Sequence, residues 1–320
     1  MNILVVGGAG YIGSHMVKLL NDNSHSVIVL DNLSTGNRDA VTCGTFIEGD
    51  IKDSNLLDTI FTENKIDCVM HFASYIQVGE SVVEPAKYYE NNVTNTINLL
   101  NCMVKNNVSK FIFSSTAAIF GLPEKIPIDE EHTKLPINPY GKTKLMIEQV
   151  LADYDIAYNL KSISLRYFNA AGADPSGEIG ERHDPETHLI PLILRVAKGD
   201  LESISVFGSD YNTKDGTCSR DYVHVVDICE AHLLSLEYLM REEITDAFNL
   251  GNNIGYTVLE VIDSVKRVTQ KNITTLMKDR RPGDPDILIA NSQKAKKVLN
   301  WNPKYSKLDT IVEHAWNWEK

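Results

Sequence analysis

The sequence predicts an α/β fold with a doubly wound parallel sheet, covered by helices on both faces and followed by a smaller mixed α/β part. Three observations predict it. Through the first half, short apolar runs of strand length alternate with segments whose apolar residues recur at helical spacing, the pattern of successive βαβ units. The strand runs are continuously apolar rather than alternating, as strands buried on both faces require. The first of them ends in a glycine-rich turn that opens a helix.

In chain order, the strand runs are Ile3–Val6, Val27–Leu30, Cys68–Phe72, Phe111–Phe113 and Ser162–Leu165. The helical segments among them are Ile12–Leu20, Tyr88–Val104 and Tyr140–Tyr154. Beyond about residue 170 the texture changes: 171–186 is rich in Gly, Pro and acidic residues and has no period. A helix at Leu189–Lys198, a strand at Ile204–Phe207 and helices at Val226–Met240, Val258–Thr269, Gln293–Leu299 and Leu308–Trp318 follow. This divides the chain into a dinucleotide-binding domain at 1–170 and a substrate domain at 171–320, with segments near 220–245 free to return to the first.

With 320 residues, 43% hydrophobic and 23% charged, the chain has the composition of an ordinary globular protein large enough for two domains. Its 43 acidic and 31 basic residues leave a net charge of −12, and no long Lys/Arg run exists, which argues against nucleic acid and anionic membranes as partners. An anionic ligand must therefore be held by a few local arginines. Five widely spaced cysteines, Cys43, Cys68, Cys102, Cys218 and Cys229, form no disulfide framework and read as reduced thiols in a cytoplasmic protein. No leader pattern and no window approaching 18 apolar residues is present, so neither export nor a membrane span is expected.

The glycine string is Gly7-Gly8-Ala9-Gly10-Tyr11-Ile12-Gly13. Glycines suit this place because the turn is tight, the backbone must touch a pyrophosphate and the helix must pack closely on its strand. The helix N-terminus then offers unpaired N–H groups to phosphate. The second strand ends in Asp31, where a carboxylate can bind both ribose hydroxyls and would repel a 2′-phosphate; no arginine precedes Arg38, so NAD is expected over NADP. This is the Rossmann-type arrangement.

Tyr140 and Lys144 form a Tyr-x-x-x-Lys at a helix start, with Asn138 as cap and Pro139 in the first turn. Spacing of four puts both on one helix face. A tyrosine base near neutrality needs about 4 kcal/mol of phenolate stabilisation, which nearby cations can supply. Ser114-Ser115-Thr116 emerges at the carboxyl end of the Phe111–Phe113 strand, where open α/β sheets bind ligands.

With these motifs the sequence resembles the extended short-chain dehydrogenase/reductase family, and among its branches the UDP-glucose 4-epimerases, over essentially the whole chain. The resemblance also rests on Gly49-Asp50-Ile51, His71-Phe72-Ala73, Tyr88-Tyr89-Glu90-Asn91-Asn92, Leu165-Arg166-Tyr167-Phe168-Asn169, His188-Leu189-Ile190-Pro191, Arg220-Asp221-Tyr222 and Arg280-Arg281-Pro282-Gly283-Asp284. It implies NAD held by Gly7, Gly10, Tyr11, Ile12, Gly13, Asp31 and Asn32, with Asp50 and Ile51 on adenine and Phe72, Ala73, Ser74, Asn92 and Tyr167 along the trough. It implies Thr116 on the sugar 4-hydroxyl beside the base Tyr140, and Lys144 on the nicotinamide ribose. Asn169, Leu189, Phe207, Arg220, Arg281 and Asp284 would hold the UDP of a UDP-sugar.

The implied reaction interconverts UDP-galactose and UDP-glucose by C4 hydride removal, rotation of a 4-keto sugar and hydride return. The family also implies a homodimer through the Tyr88–Val104 and Tyr140–Tyr154 helices, with Ile97, Leu100, Met146 and Val150 as candidate contacts. Three positions depart from the family pattern: Ile76 stands where some members carry lysine, Phe120 where tyrosine is common, and Leu288 near a wall residue whose size governs N-acetyl sugars. Dehydratases and decarboxylases share the apparatus but add a carboxylate after the catalytic threonine, whereas Ala117 and Ala118 follow Thr116 here. The same motifs would also serve a UDP-N-acetylhexosamine 4-epimerase or a non-catalytic NAD-binding protein. His183, Asp184, Glu186 and His188 read as solvated polar residues of a loop, and no metal is expected.

Overall fold

The structure is a computed structural model, and it describes residues 1–281 and 284–320; Pro282 and Gly283 of the Arg-Arg-Pro-Gly-Asp string lie outside the described residues. The first half runs β1 (Asn2–Val6), α1 (Tyr11–Asp22), β2 (Ser26–Asp31), β3 (Thr45–Glu48), α2 (Ser54–Glu63), β4 (Cys68–His71), α3 (Val78–Val83), α4 (Pro85–Tyr89), α5 (Asn95–Lys105), β5 (Lys110–Thr116), α6 (Pro139–Tyr158) and β6 (Lys161–Tyr167). Then follow β7 (Asn169–Ala171), α7 (Leu189–Lys198), β8 (Ile204–Phe207), β9 (Ser219–Arg220), β10 (Tyr222–His224), α8 (Val225–Glu242) and β11 (Asp246–Leu250). The chain ends with β12 (Tyr256–Thr257), α9 (Val258–Thr269), β13 (Thr275–Lys278), β14 (Ile287–Leu288), α10 (Gln293–Val298) and α11 (Leu308–Glu319).

Seven strands form one sheet in the order β3-β2-β1-β4-β5-β6-β11, every pair parallel. The strand order reverses between β1 and β4, so the carboxyl ends of these strands open a crevice there. One core layer packs α1 and α8 on one face through Met16, Leu20, Ile228 and Leu236. The other packs α2, α5 and α6 through Leu57, Leu99, Met103 and Ile147. A third cluster, with Ile193, Val206, Val261 and Ile311, is the core of the later part.

Several elements differ from the sequence expectation. The helix expected at Tyr88–Val104 is α4, a π turn at Glu90–Thr94 and α5. β3 is short, and its residues are half-buried or exposed, so no apolar run marks it. The sequence expectation also lacks α2, although Asp53 caps it by accepting the N–H groups of Asn55 and Leu56. Residues 225–250 pack with the first half, α8 on α1 and β11 on β6, so the return extends beyond 245.

Candidate active site

The glycine turn is built as its residue types demand. Gly7 has φ +80°, and a Cβ there would meet the Ala73 nitrogen at 2.5 Å, while a Cβ on Gly13 would lie 2.1 Å from the Gly7 carbonyl oxygen. Around Gly10, by contrast, only that same oxygen comes near, at 3.4 Å, so the glycine leaves open space rather than fitting a protein contact. Gly10 caps α1 with no side chain, and the first turn carries no acidic residue, which leaves its N–H groups free for an anion. A groove lined by Gly7, Gly10, Asp31, Asn32, Asp50, Ile51, Phe72, Ala73 and Ser74 runs from this turn across the crevice. These residues fit a dinucleotide.

Asp31, 7% exposed, accepts the N–H groups of Ala9 and Leu33, at 2.9 and 2.8 Å, and borders the groove at the end of β2. Burial raises its pKa, and those two backbone bonds partly offset the rise. Arg38 is turned to the Phe46 ring and the Val41 carbonyl, so it is not aimed at a ribose phosphate. The Asn32 amide donates to Asp50. Asn92 differs from expectation: both ends of its amide bond the Tyr75 backbone, so it braces the loop after β4 rather than facing the groove. Ile12 packs against the core, and Tyr11 donates to the Gly172 carbonyl at 2.6 Å, tying the glycine turn to the chain after β7.

Thr116, Tyr140 and Lys144 stand close together. Thr116 ends β5 and accepts the Ala118 N–H; Tyr140 stands in the first turn of α6, which Asn138 caps through the Gly141 N–H. Burial raises the Tyr140 pKa, and its contact with the Thr116 hydroxyl acts in the opposite sense. The Lys144 ammonium donates to Ser74 Oγ and to the Ser114 carbonyl, each at 2.8 Å, and lies 6.0 Å from the Tyr140 ring centre. Burial lowers its pKa to about 7, with Glu148 pulling the other way. Tyr167 packs beside this centre against His232, and burial raises its phenol.

One turn beyond Lys144, Glu148 accepts two bonds from Arg166, at 2.9 and 2.6 Å, and one from Ser115 at 2.6 Å. Arg166 lies within the Leu165–Asn169 string, but no motif in the sequence includes Glu148, although Tyr140, Lys144 and Glu148 repeat at spacing four. Removing either partner would cost about 3–5 kcal/mol by leaving a buried charge unpaired. Ser74 as the lysine's partner has no local signal, because it comes from the end of a different strand.

In the later part, Arg220 donates to Asp284 at 2.9 Å and to the Pro285 carbonyl, and Arg281 donates to the other Asp284 oxygen at 2.9 Å. The Arg281 guanidinium also lies 5.1 Å from the Phe207 ring centre, which gathers four of the six expected UDP contacts. Asn169 donates to the Asp221 carbonyl. Leu189 opens α7, half-buried against its core. Leu288 is the register partner of Arg220 and packs against the cluster formed by Ala117, Ile119, Phe120 and Ile128, the first of which directly follow Thr116.

The reading of 183–188 as solvated fails for Glu186, which is buried, and His183, which is half-buried, and holds for Asp184, which is exposed. Glu181 and Glu186 are each 8% exposed and, with His183 and His188, place one donor atom apiece within 4.8 Å of one another. Burial opposes charging the imidazoles, yet the two carboxylates outweigh it and raise His183 to about 9 and His188 to about 10. Asp184 takes no part in the group.

Comparison with known proteins places this geometry. Residues 3–251 match the NAD dependent epimerase/dehydratase family. A UDP-glucose 4-epimerase of Halalkalibacterium halodurans is 53% identical over 100% of this chain and 96% of its own. A UDP-glucose 4-epimerase from Brucella ovis, solved in complex with NAD, superposes with a TM-score of 0.97 at 47% identity, covering 99% of this chain and 98% of that one. The epimerase from Bifidobacterium longum, solved with NAD+ and UDP, gives 0.95 at 38% identity, with coverage of 99% and 98%.

Proposed function

This chain belongs to the NAD-dependent epimerase/dehydratase family, and on that premise we propose that it interconverts UDP-galactose and UDP-glucose at C4, an NAD-dependent isomerase. The observation that carries the reading is the make-up of the reacting end: Thr116, Tyr140 and Lys144 stand together, Ala117 and Ala118 follow Thr116, and the neighbouring carboxylate, Glu148, is bound by Arg166 and Ser115. Dehydration or decarboxylation asks for a further free acid or base. Hydride removal and return does not.

Bound NAD+ would supply a hydride acceptor and donor for C4 and a positive charge against the tyrosine. The chain's own residues do the rest. Thr116 orients the 4-hydroxyl, and Tyr140 takes its proton and later returns it. Lys144, held by Ser74 and the Ser114 carbonyl, is the cation of this chain that lowers the cost of the phenolate. Asp31 and the open space at Gly10 would hold the ribose and pyrophosphate, and Arg220 and Arg281 would pair with the diphosphate of the substrate, as an acidic protein requires. The 4-keto sugar turns within the site while the uridine diphosphate stays fixed.

Residues 171–320, less α8, β11 and α10, which pack with the first half, form the substrate half in this reading. Two chains pair through α5 and α6 as a homodimer, and the five unpaired cysteines accord with a cytoplasmic location. Among the described residues, no helix is long and apolar enough to cross a membrane. Following UDP-glucose formation from UDP-galactose tests the function. Tyr140→Phe is expected to lose most of kcat while still binding NAD, and full activity in that variant would remove Tyr140 from the mechanism.

A further inference from the structure

The chain after β7 contains a group of side chains that the reaction does not use. Within eight residues, Glu181-x-His183-x-x-Glu186-x-His188, it presents two imidazoles and two carboxylates to one point beside the N-terminus of α1. Four buried polar atoms here have no hydrogen-bond partner: Glu181 Oε1, His183 Nδ1, Glu186 Oε2 and His188 Nδ1. They are nevertheless close together. Glu181 Oε1 lies 3.2 Å from His183 Nδ1 and 2.7 Å from His188 Nδ1, and Glu186 Oε2 lies 3.6 Å from His183 Nδ1. None of these approaches meets the geometry of a hydrogen bond, yet the four residues each bring one donor atom within 4.8 Å of the others.

That spacing has a physical meaning. Ligands about 2.0–2.1 Å from a tetrahedral zinc ion stand about 3.3 Å apart along the tetrahedron's edges, and the three contacts, at 2.7, 3.2 and 3.6 Å, bracket that length. We propose that Glu181, His183, Glu186 and His188 bind one Zn2+ in a tetrahedral, structural site. Two neutral imidazoles suit this borderline-soft cation, and two carboxylates balance its charge. The surroundings orient the ligands: the Thr187 and His188 N–H groups donate to Glu186 Oε1 at 2.7 and 2.8 Å, which leaves Oε2 for the ion.

The site sits where three elements meet. His183 packs edge-on to Tyr11 in the first turn of α1, His188 is the N-cap residue of α7, and the Glu181 carbonyl accepts the Trp318 indole N–H of α11. The ion therefore fastens the loop between the two halves to the glycine turn on one side and to Leu189 on the other. It lies outside the set formed by Thr116, Tyr140 and Lys144, so its role is to hold this loop rather than to take part in the reaction.

The competing state of the same residues is a metal-free cluster of two imidazolium and two carboxylate groups, and the test separates the two. Untagged protein, grown with zinc and purified without chelators, is analysed for metal by mass spectrometry. One zinc per chain is expected in the wild type and its loss in a His183→Gln/His188→Gln variant. Replacement by Co2+ in the wild type is expected to give the intense visible bands of a tetrahedral site, a readout that does not depend on whether the variant folds. Wild-type protein that is folded by circular dichroism, carries no zinc and takes up none from micromolar Zn2+ in calorimetry would overturn the proposal.

Discussion

At the scale of single residues, the proposed determinant of substrate breadth is Leu288. It packs against the cluster of Ala117, Ile119, Phe120 and Ile128 and stands in register with Arg220. A leucine leaves less room than cysteine and more than tyrosine, and a difference of a few methylene-sized groups is worth about 1–3 kcal/mol in discrimination. Turnover of UDP-N-acetylgalactosamine is expected to be measurable but weaker than that of UDP-galactose, to improve in Leu288→Cys and to fall in Leu288→Tyr. Comparing kcat/KM for both sugars on the three proteins checks this, and equal ratios would show that another residue forms the wall.

Lys144 makes a separate, pH-dependent prediction. Burial lowers its pKa from 10.5 to about 7 in the folded chain. Between those values the folded chain binds fewer protons than the unfolded one, so the lysine's contribution to stability rises with pH, and its burial penalty is complete below about pH 7. Urea midpoints of cofactor-free wild type and Lys144→Met are therefore expected to diverge from about pH 7 to 9 in favour of the wild type, by up to about 1.4 kcal/mol per pH unit. A difference that stays flat across the window would mean that the buried ammonium keeps its proton.

At the scale of elements, what the sequence made legible follows from how local each signal is. The glycine turn, Asp31 at the end of β2 and the Tyr140/Lys144 pair are contained within one strand end or one helix turn, and the structure brings them to a single crevice. Ser74 beside Lys144, and Arg166 beside Glu148, come from separate strands, so no spacing in the sequence announces them. β7, β9, β10, β12 and β14 have only two or three residues each and exist through pairing with distant segments. Asn92 shows the limit of carrying a role over from a motif: the residue is in place, but its amide holds the Tyr75 backbone.

The helices α5 and α6 carry the assembly prediction. Leu100 is fully buried in the chain's own core and so is no interface residue, whereas Ile97 and Val150 are half-buried and Met146 is 40% exposed. Tyr154 donates to Asn101 at 2.7 Å and fixes the two helices as one surface. Sedimentation at micromolar concentration is expected to show a dimer, and Ile97→Glu with Met146→Glu to show a monomer. A wild type that sediments only as single chains would refute the pairing.

At the scale of the whole molecule, the seven-stranded sheet brings the Asp31 groove and, through Lys144 on Ser74, the Tyr140 centre to the same edge, and the later part contributes Arg220 and Arg281, the arginines proposed for the diphosphate. In the proposed reaction a sugar lies between a hydride acceptor and a single base, Tyr140. The central consequence is that the hydrogen leaving C4 returns to C4 without meeting water. The direct measurement uses UDP-galactose deuterated at the sugar C4, incubated with the enzyme in ordinary water, with the UDP-glucose product examined by NMR and mass spectrometry. The account predicts conversion with deuterium retained at C4. Product that carries protium at C4, or a sugar that stays unchanged, would contradict it.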